Sequence, residues 1–220
     1  MENTRCTLGL MIHEILPVGQ LQCNCSILGD EETREAIVVD PGANIPEIEE
    51  KLRRHGLKVK AIVITHAHID HVAGASELKR KTNAPVYMNA NDEQLLEALD
   101  AQAQWLGMET PDRVDIDTNM RDGDRLTLGN SEFRVIETPG HTQGSVSLYM
   151  PQQNKLLAGD TLFRDSIGRT DLPGGNTKKI LSSIKTRLLV LPDETIVVPG
   201  HGANTTIGRE RDRNPFLQKL

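Results

Sequence analysis

The run Thr65-His66-Ala67-His68-Ile69-Asp70-His71 packs four metal-binding side chains into six positions, His66 to His71. In extended or turn geometry His66 and His68 point the same way and can share one cation, while Asp70 and His71 follow at a turn and can reach a second ion. Three further donors stand alone: His141 after Thr138-Pro139-Gly140, Asp160 after Gly159, and His201 after Pro199-Gly200. The full set predicts a paired site, with His66, His68 and His141 on one ion, Asp70, His71 and His201 on the other, and Asp160 bridging them. Imidazole and carboxylate donors without thiolate suit Zn²⁺ best, with Fe or Mn as alternatives. A hydroxide held between two such ions ~3.5–4 Å apart is a strong nucleophile at neutral pH, and the ions polarise the carbonyl it attacks. Gly140, Gly200 and Gly202 fit beside the donors, where tight turns need residues free of Cβ clashes.

These donors must be delivered by rigid elements, and each follows a β-like run. The strands predicted are Leu21–Leu28, Ala36–Asp40, Ala61–Thr65, Pro85–Met88, Phe133–Glu137, Val146–Tyr149, Lys155–Leu157 and Thr195–Val198. Helices are predicted over Ile45–His55, Val72–Thr82, Asp92–Leu106 and Lys178–Leu189, with Asn91 capping the third and Asn176 or Thr177 the fourth. Short apolar runs alternating with helical patterns indicate an α/β architecture, consistent with two face-to-face sheets covered by helices. Ends of neighbouring strands converge on one sheet edge, where α/β folds place their sites. A single histidine after a strand is more often a core or surface residue than a ligand. One dense cluster plus three donors at matching strand ends is what overrides that tendency. His13 and His55 lie outside the pattern; His13 reads as structural and His55 as a solvated helix-end residue.

The bulk properties narrow the function. With 220 residues, 37% hydrophobic and 25% charged, the chain can bury a core as a single domain over residues 1–220. A net charge of −6 argues against a nucleic-acid partner. No apolar stretch approaches the ~20 residues of a membrane span. Three cysteines, Cys6, Cys23 and Cys25, are too few for a disulfide scaffold and suggest a reducing, cytoplasmic setting. Cys23 and Cys25 fall on one side of a strand, where buried small residues are expected more than a metal or redox pair.

The HxHxDH run with later single His, Asp and His resembles the metallo-β-lactamase superfamily over nearly the whole chain. That resemblance implies a four-layer αβ/βα sandwich with two metals at one edge, held by His66, His68, Asp70, His71, His141, Asp160 and His201. An aspartate at position 160 is similar to the hydrolase branches and unlike true class B β-lactamases. The segments Gly159–Phe163, Gly168-Arg169-Thr170-Asp171 and Glu210–Leu217 are similar to glyoxalase II-like enzymes, which hydrolyse the thioester S-D-lactoylglutathione. By that likeness the partner is a small-molecule thioester, Asp70 holds the second metal and can relay a proton, and Arg169 contacts the substrate. Two departures bear on glutathione: Asp171 stands where such enzymes carry a tyrosine, and only 19 residues follow His201, making 202–220 a short C-terminal extension. The resemblance leaves two other reactions open, a mononuclear-iron persulfide dioxygenase using His66, His141 and Asp160, and a lactonase. No Gly-x-Ser-x-Gly elbow supplies a serine nucleophile.

Overall fold

The continuous apolar runs Ala36–Val39 and Ala61–Ile64 are those of strands buried on both faces. In the computed structural model, which describes residues 11–218, they sit at the centre of the first of two six-stranded sheets. That sheet runs in chain order: β1 (Met11–Val18), β2 (Cys23–Asp30), β3 (Glu35–Val39), β4 (Lys58–Val63), β5 (Val86–Met88) and β6 (Thr118–Asn119). The second is formed by β7 (Arg125–Leu128), β8 (Ser131–Glu137), β9 (Val146–Met150), β10 (Lys155–Gly159), β13 (Ile196–Pro199) and β14 (Thr205–Thr206), in the order β14-β13-β10-β9-β8-β7. A hairpin of β11 (Leu162–Phe163) and β12 (Ser166–Ile167) stands apart.

Strand alternation divides the side chains among three cores. Ile37, Val39 and Val63 from the first sheet meet Phe133, Val135, Leu148 and Val198 from the second in the middle of the sandwich. Val38, Ile62 and Ile64 face outward onto helices α1 (Ile45–Arg54), α3 (Ala75–Thr82), α4 (Glu93–Glu97) and α5 (Leu99–Leu106). Leu156, Ala158 and Val197 cover the far side of the second sheet under α6 (Thr177–Ser183) and α7 (Ile207–Arg213). The result is the four-layer αβ/βα sandwich expected. Among the described residues no helix is long and apolar enough to cross a membrane.

Every predicted strand is present with its bounds shifted by a few residues, and β1, β6, β7, β11, β12 and β14 are added, most of them short. The helix expected over Val72–Thr82 is split: a single turn, α2 (Ile69–Val72), ends before Gly74, where a Cβ would lie 2.4 Å from the Pro41 carbonyl. The helix expected over Asp92–Leu106 breaks into α4 and α5 at Ala98. Asn91 does not cap it: the Asn89 side chain accepts from the Asn91 N–H and caps a 3₁₀ turn over Ala90–Asp92, which leads into an α4 whose own start has no side-chain cap. Asn176 caps α6 by accepting from Lys179 N–H, and the helix runs on as a π-turn over Ile184–Leu188. Cys6 lies outside the described residues; Cys23 and Cys25 are buried free thiols on the helix side of β2.

The segment after His201 is integral to the second sheet. Its β14 pairs with β13, and Ile207 and Leu217 enter the outer core. Glu210, fully buried on α7, accepts from Asp165 N–H (2.8 Å), Asn214 Nδ2 (2.9 Å), Arg209 Nη1 (2.8 Å) and the Thr205 hydroxyl. Asn214 Nδ2 also donates to Ser166 O at 2.9 Å, so α7 holds the β11–β12 hairpin that lies between Asp160 and Arg169. Truncating Glu210 to Ala strands these donors in a dry site. The expected loss is about 3 kcal/mol of stability, read from the urea midpoint.

His13 gives the fold a pH dependence. Burial, reinforced by the Lys155 ammonium 3.3 Å from its Nδ1, pushes it down to about 4. The unfolded chain, with its histidine near ~6.5, binds that proton more readily. His13 therefore contributes stability that is complete above pH ~6.5 and lost as pH falls toward 4. Urea midpoints measured between pH 7.5 and 4.5 should fall less steeply in His13→Gln than in the parent.

Candidate metal centre

In the second sheet β8 is antiparallel to β9, β9 antiparallel to β10, and β10 parallel to β13, so β8, β10 and β13 point the same way. Their C-terminal ends open into the segments carrying His141, Asp160 and His201, beside the end of β4 with its His66–His71 run. Main-chain bonds tie the two sheets at this edge: Val146 N–H donates to Thr65 O (2.9 Å) and Asn24 N–H to Gly200 O (2.7 Å). Gly200 allows the approach, since a Cβ there would lie 2.1 Å from Asp160 Oδ1. Gly140 does need its freedom, with φ at 138° and Ile180 N 2.2 Å from where a Cβ would sit.

The structure brings all seven predicted donors together. Within the run, His66 and His68 lie on extended chain, and Asp70 and His71 lie on the single turn α2. His141 Nε2 is 3.2 Å from His66 Nε2 and 3.0 Å from His68 Nδ1. His201 Nε2 is 3.4 Å from His71 Nε2 and 3.1 Å from Asp70 Oδ2. Asp160 spans the halves, with Oδ2 3.5 Å from His141 Nε2 and 3.7 Å from His201 Nε2, and Oδ1 3.5 Å from His71 Nε2. His66, His71 and His141 are buried; His201 is partly open.

The outward nitrogens fix the tautomers. His141 Nδ1–H donates to Arg169 O (2.8 Å), His201 Nδ1–H to Leu21 O (2.9 Å) and His71 Nδ1–H to Asp40 Oδ2 (2.9 Å). Thr65 Oγ1 donates to Asp40 Oδ2 (2.7 Å) and so accepts from His66 Nδ1–H (3.1 Å). Each Nε2 of these four rings is therefore turned inward, and the lone pairs of His66 and His141, and of His71 and His201, meet in contacts that neutral imidazoles cannot satisfy by hydrogen bonding. Asp160 Oδ1 is buried without a hydrogen-bond partner. Converging lone pairs and an orphaned carboxylate oxygen are what a pair of cations would resolve, and the donor set fits them.

The electrostatics divide along the same line. Burial lowers His66 well below its ordinary range, and His68 falls to about 3 through burial and the neighbouring His141. In the other half burial opposes charge on His71, yet the carboxylates of Asp160, Asp40 and Asp70 hold its pKa well above the usual value. Burial likewise works against ionising Asp70, and the adjacent His71 and His201 nevertheless keep it low.

Several positioning residues escaped the sequence analysis. Asp40, with φ at 53°, accepts from Thr65 N–H (2.7 Å), the Thr65 hydroxyl and His71. Asp92 accepts from Ala67 N–H (3.0 Å), Thr142 Oγ1 (2.8 Å) and Gly144 N–H (2.6 Å), joining the His66–His71 run to the His141 loop. Gln102 on α5 accepts from Ile69 N–H (3.0 Å) and donates to the Ala67 and Leu95 carbonyls. Cys23 Sγ lies 3.5 Å from His71 Nδ1, and burial pushes its thiol up to about 12. His13 and His55 are both remote from the cage, bonded to Ser26 and Glu14 respectively.

A cleft of about 660 Å³ opens over His68, Asp70, His141, Asp160 and His201. One wall is Ile69, Leu95, Ala98, Ala101, Gln102, Trp105 and Leu106; Leu172, Pro173, Arg169 and Leu21 complete the rim. Arg169 is on this rim, but its Nε and Nη2 are paired with both oxygens of Asp171, at 2.8 and 2.7 Å.

The comparisons accord with this geometry. The sequence profile of the Metallo-beta-lactamase superfamily matches residues 18–201. A relative in Aquifex aeolicus, described only as an uncharacterized protein, is 42% identical over 96% of this chain and 99% of its own. The hydroxyacylglutathione hydrolase GloC of Haemophilus influenzae is 37% identical over 93% and 97%. Among solved structures, the B3 metallo-beta-lactamase BLEG-1 is 38% identical with a TM-score of 0.88, covering 94% of this chain and 100% of its own. TTHA1623, in a di-iron-bound form, is 38% identical with a TM-score of 0.84, covering 93% and 100%. ETHE1 from Myxococcus xanthus is 28% identical with a TM-score of 0.76, covering 93% and 83%.

Because Asp40 holds His71 directly and His66 through Thr65, Asp40→Asn should weaken metal affinity about 10–100-fold. Thr65→Val should have a smaller effect. Chelator competition on protein shown to be folded by circular dichroism checks both.

Proposed function

The chain belongs to the metallo-β-lactamase superfamily and is a metal-dependent hydrolase, and from that premise we propose that it hydrolyses small-molecule thioesters with two divalent metal ions in the cage. The observation that carries the two-ion reading is Asp160, whose carboxylate lies between the His66–His68–His141 and Asp70–His71–His201 groups with one oxygen unpaired. The sequence likeness to a hydroxyacylglutathione hydrolase supports the thioester. Zinc is the proposed metal, with iron and manganese as the other fillings the donors suit.

In this reading the first three histidines hold one ion, Asp70, His71 and His201 hold the second, and Asp160 serves both. Ions bound there supply Lewis acidity toward the scissile carbonyl and make water nucleophilic at neutral pH. Asp70, whose Oδ2 lies 3.1 Å from His201 Nε2, would also accept a hydrogen bond from the attacking water and orient it. Main-chain anchors at Ala67, Ile69 and Gly144 keep that geometry fixed as substrate enters. Tetrahedral collapse expels a thiolate, which with a thiol pKa near ~8.5 needs little help from a general acid. Arg169 is proposed as a substrate contact through the guanidinium edge that Asp171 leaves free.

Metal analysis of the purified protein, combined with thiol release from a thioester panel including S-D-lactoylglutathione, tests the proposal. Two ions per chain and thiol release are expected, and Asp160→Ala should remove metal and activity together. A single iron per chain with oxygen uptake on a persulfide would overturn it in favour of a dioxygenase. Cleavage confined to lactones or β-lactams would overturn the thioester assignment alone.

A further inference from the structure

The cleft over the cage is walled by α4 and α5, which turn Leu95, Ala98, Trp105 and Leu106 toward it. Leu172 and Leu21 stand on the rim. Trp105 is 66% exposed and Leu21 44% exposed, so among the described residues large apolar groups border the opening uncovered. Such a patch contiguous with a reactive centre is a ligand surface rather than scattered surface apolarity.

What the cleft lacks is equally informative. Among the described residues lining it, Gln102 is the polar side chain of the helical wall, and its amide is committed to Ile69, Ala67 and Leu95. Arg169 is the one lysine or arginine among them, and Asp171 takes its Nε and Nη2 in a bidentate pair, leaving a single free edge toward the cleft. A tripeptide thiol such as glutathione brings two carboxylates and an ammonium into the site, more charge than the one free Arg169 edge can pair, and desolvating the rest against this wall is costly. An uncharged aliphatic substituent gains there.

We infer that the α4–α5 wall makes this enzyme selective for thioesters whose substituent next to the scissile bond is apolar and uncharged, with Trp105 as a specificity-determining residue. The inference rests on the thioester-hydrolase reading and names the substrate class within it. The aliphatic chain can enter on the acyl or the thiol side, and the two are separated by the substrate series used.

The chain contains one tryptophan, so Trp105 emission reports occupancy of this wall directly. The metal-loaded enzyme is given acetyl to octanoyl thioesters of N-acetylcysteamine, and separately acetyl thioesters of thiols of rising length. In one series kcat/KM should rise about two- to fourfold per added methylene, the transfer value of a partly buried CH₂. Trp105→Ala should flatten that slope while Trp105→Phe keeps it, and S-D-lactoylglutathione should fall below the octanoyl thioester. In parallel, unreactive dialkyl thioethers should change Trp105 fluorescence saturably and more tightly with length, and S-alkylglutathiones of equal chain length should bind more weakly. If both kinetic series are flat, or the glutathione compounds bind as well as the uncharged ones, the apolar selectivity is wrong although hydrolysis stands. If the enzyme cleaves no thioester, the reading of the reaction fails, and the fluorescence titration still decides the wall: saturable, length-dependent binding upholds it and its absence overturns it.

Discussion

The carboxylate of Asp40 accepts three hydrogen bonds within 2.9 Å, from the Thr65 amide, the Thr65 hydroxyl and His71 Nδ1. A carboxylate this buried is affordable only with such a set of donors. Its placement does two things at once. It closes the end of β4 against the end of β3, and it fixes the tautomer of His71 directly and of His66 through Thr65. Were Asp40 to rotate away, both rings could present an N–H to the interior and the convergence of lone pairs would be lost. The same carboxylate lies near enough to help hold His71 in its raised state when no cation neutralises the carboxylates around it.

That arrangement depends on a backbone that does not yield. Central strands buried on both faces supply rigid stems, and their parallel direction in β8, β10 and β13 brings three single donors to one edge without long loops. The bonds from Val146 to Thr65 and from Asn24 to Gly200 lock the two sheets there. Asp92 then repeats the role of Asp40 on the other flank, taking one amide from the His66–His71 run and two donors from the His141 loop. The two buried carboxylates thus brace the cage together, Asp40 through His71 and, by way of Thr65, His66, and Asp92 through the main chain of the donor run and the His141 loop.

How much of this was legible in the sequence follows from which forces are local. The seven donors could be found because each follows an apolar run, and apolar periodicity is a local signal. Asp40 carried the same mark as Asp160, an aspartate ending a strand, yet an acidic residue there is equally explained by a turn. Asp92 was hidden for a related reason, since a carboxylate in the first turn of a helix already has a reason to be there. The need for glycine at position 74, between α2 and α3, comes from the Pro41 carbonyl, which is distant in sequence. Strand β1 shows no clean alternation because most of its residues are half-buried, and its pairing with β2 places it. At the C-terminus, the similarity of Glu210–Leu217 to glyoxalase II-like enzymes was visible, but not that Glu210 and Asn214 act by anchoring a hairpin beside the cage.

Cage and cleft are built from shared parts, and this limits how either can change. Gln102 lies in the helical wall, yet its amide spans from Leu95 to Ala67 and Ile69, so the residue that shapes the cleft also pins the donor run. Arg169 does the same from the rim: its carbonyl orients His141 while its side chain pairs with Asp171. Leu21 offers an apolar side chain to the opening and its carbonyl to His201. In Arg169 and Leu21 the function toward the cage is carried by the main chain, which leaves the side chain at the same position free to vary. Substrate preference can therefore be retuned at those places and at Trp105 without disturbing the donors, whereas Gln102 serves the donors through its own amide and is held by that duty.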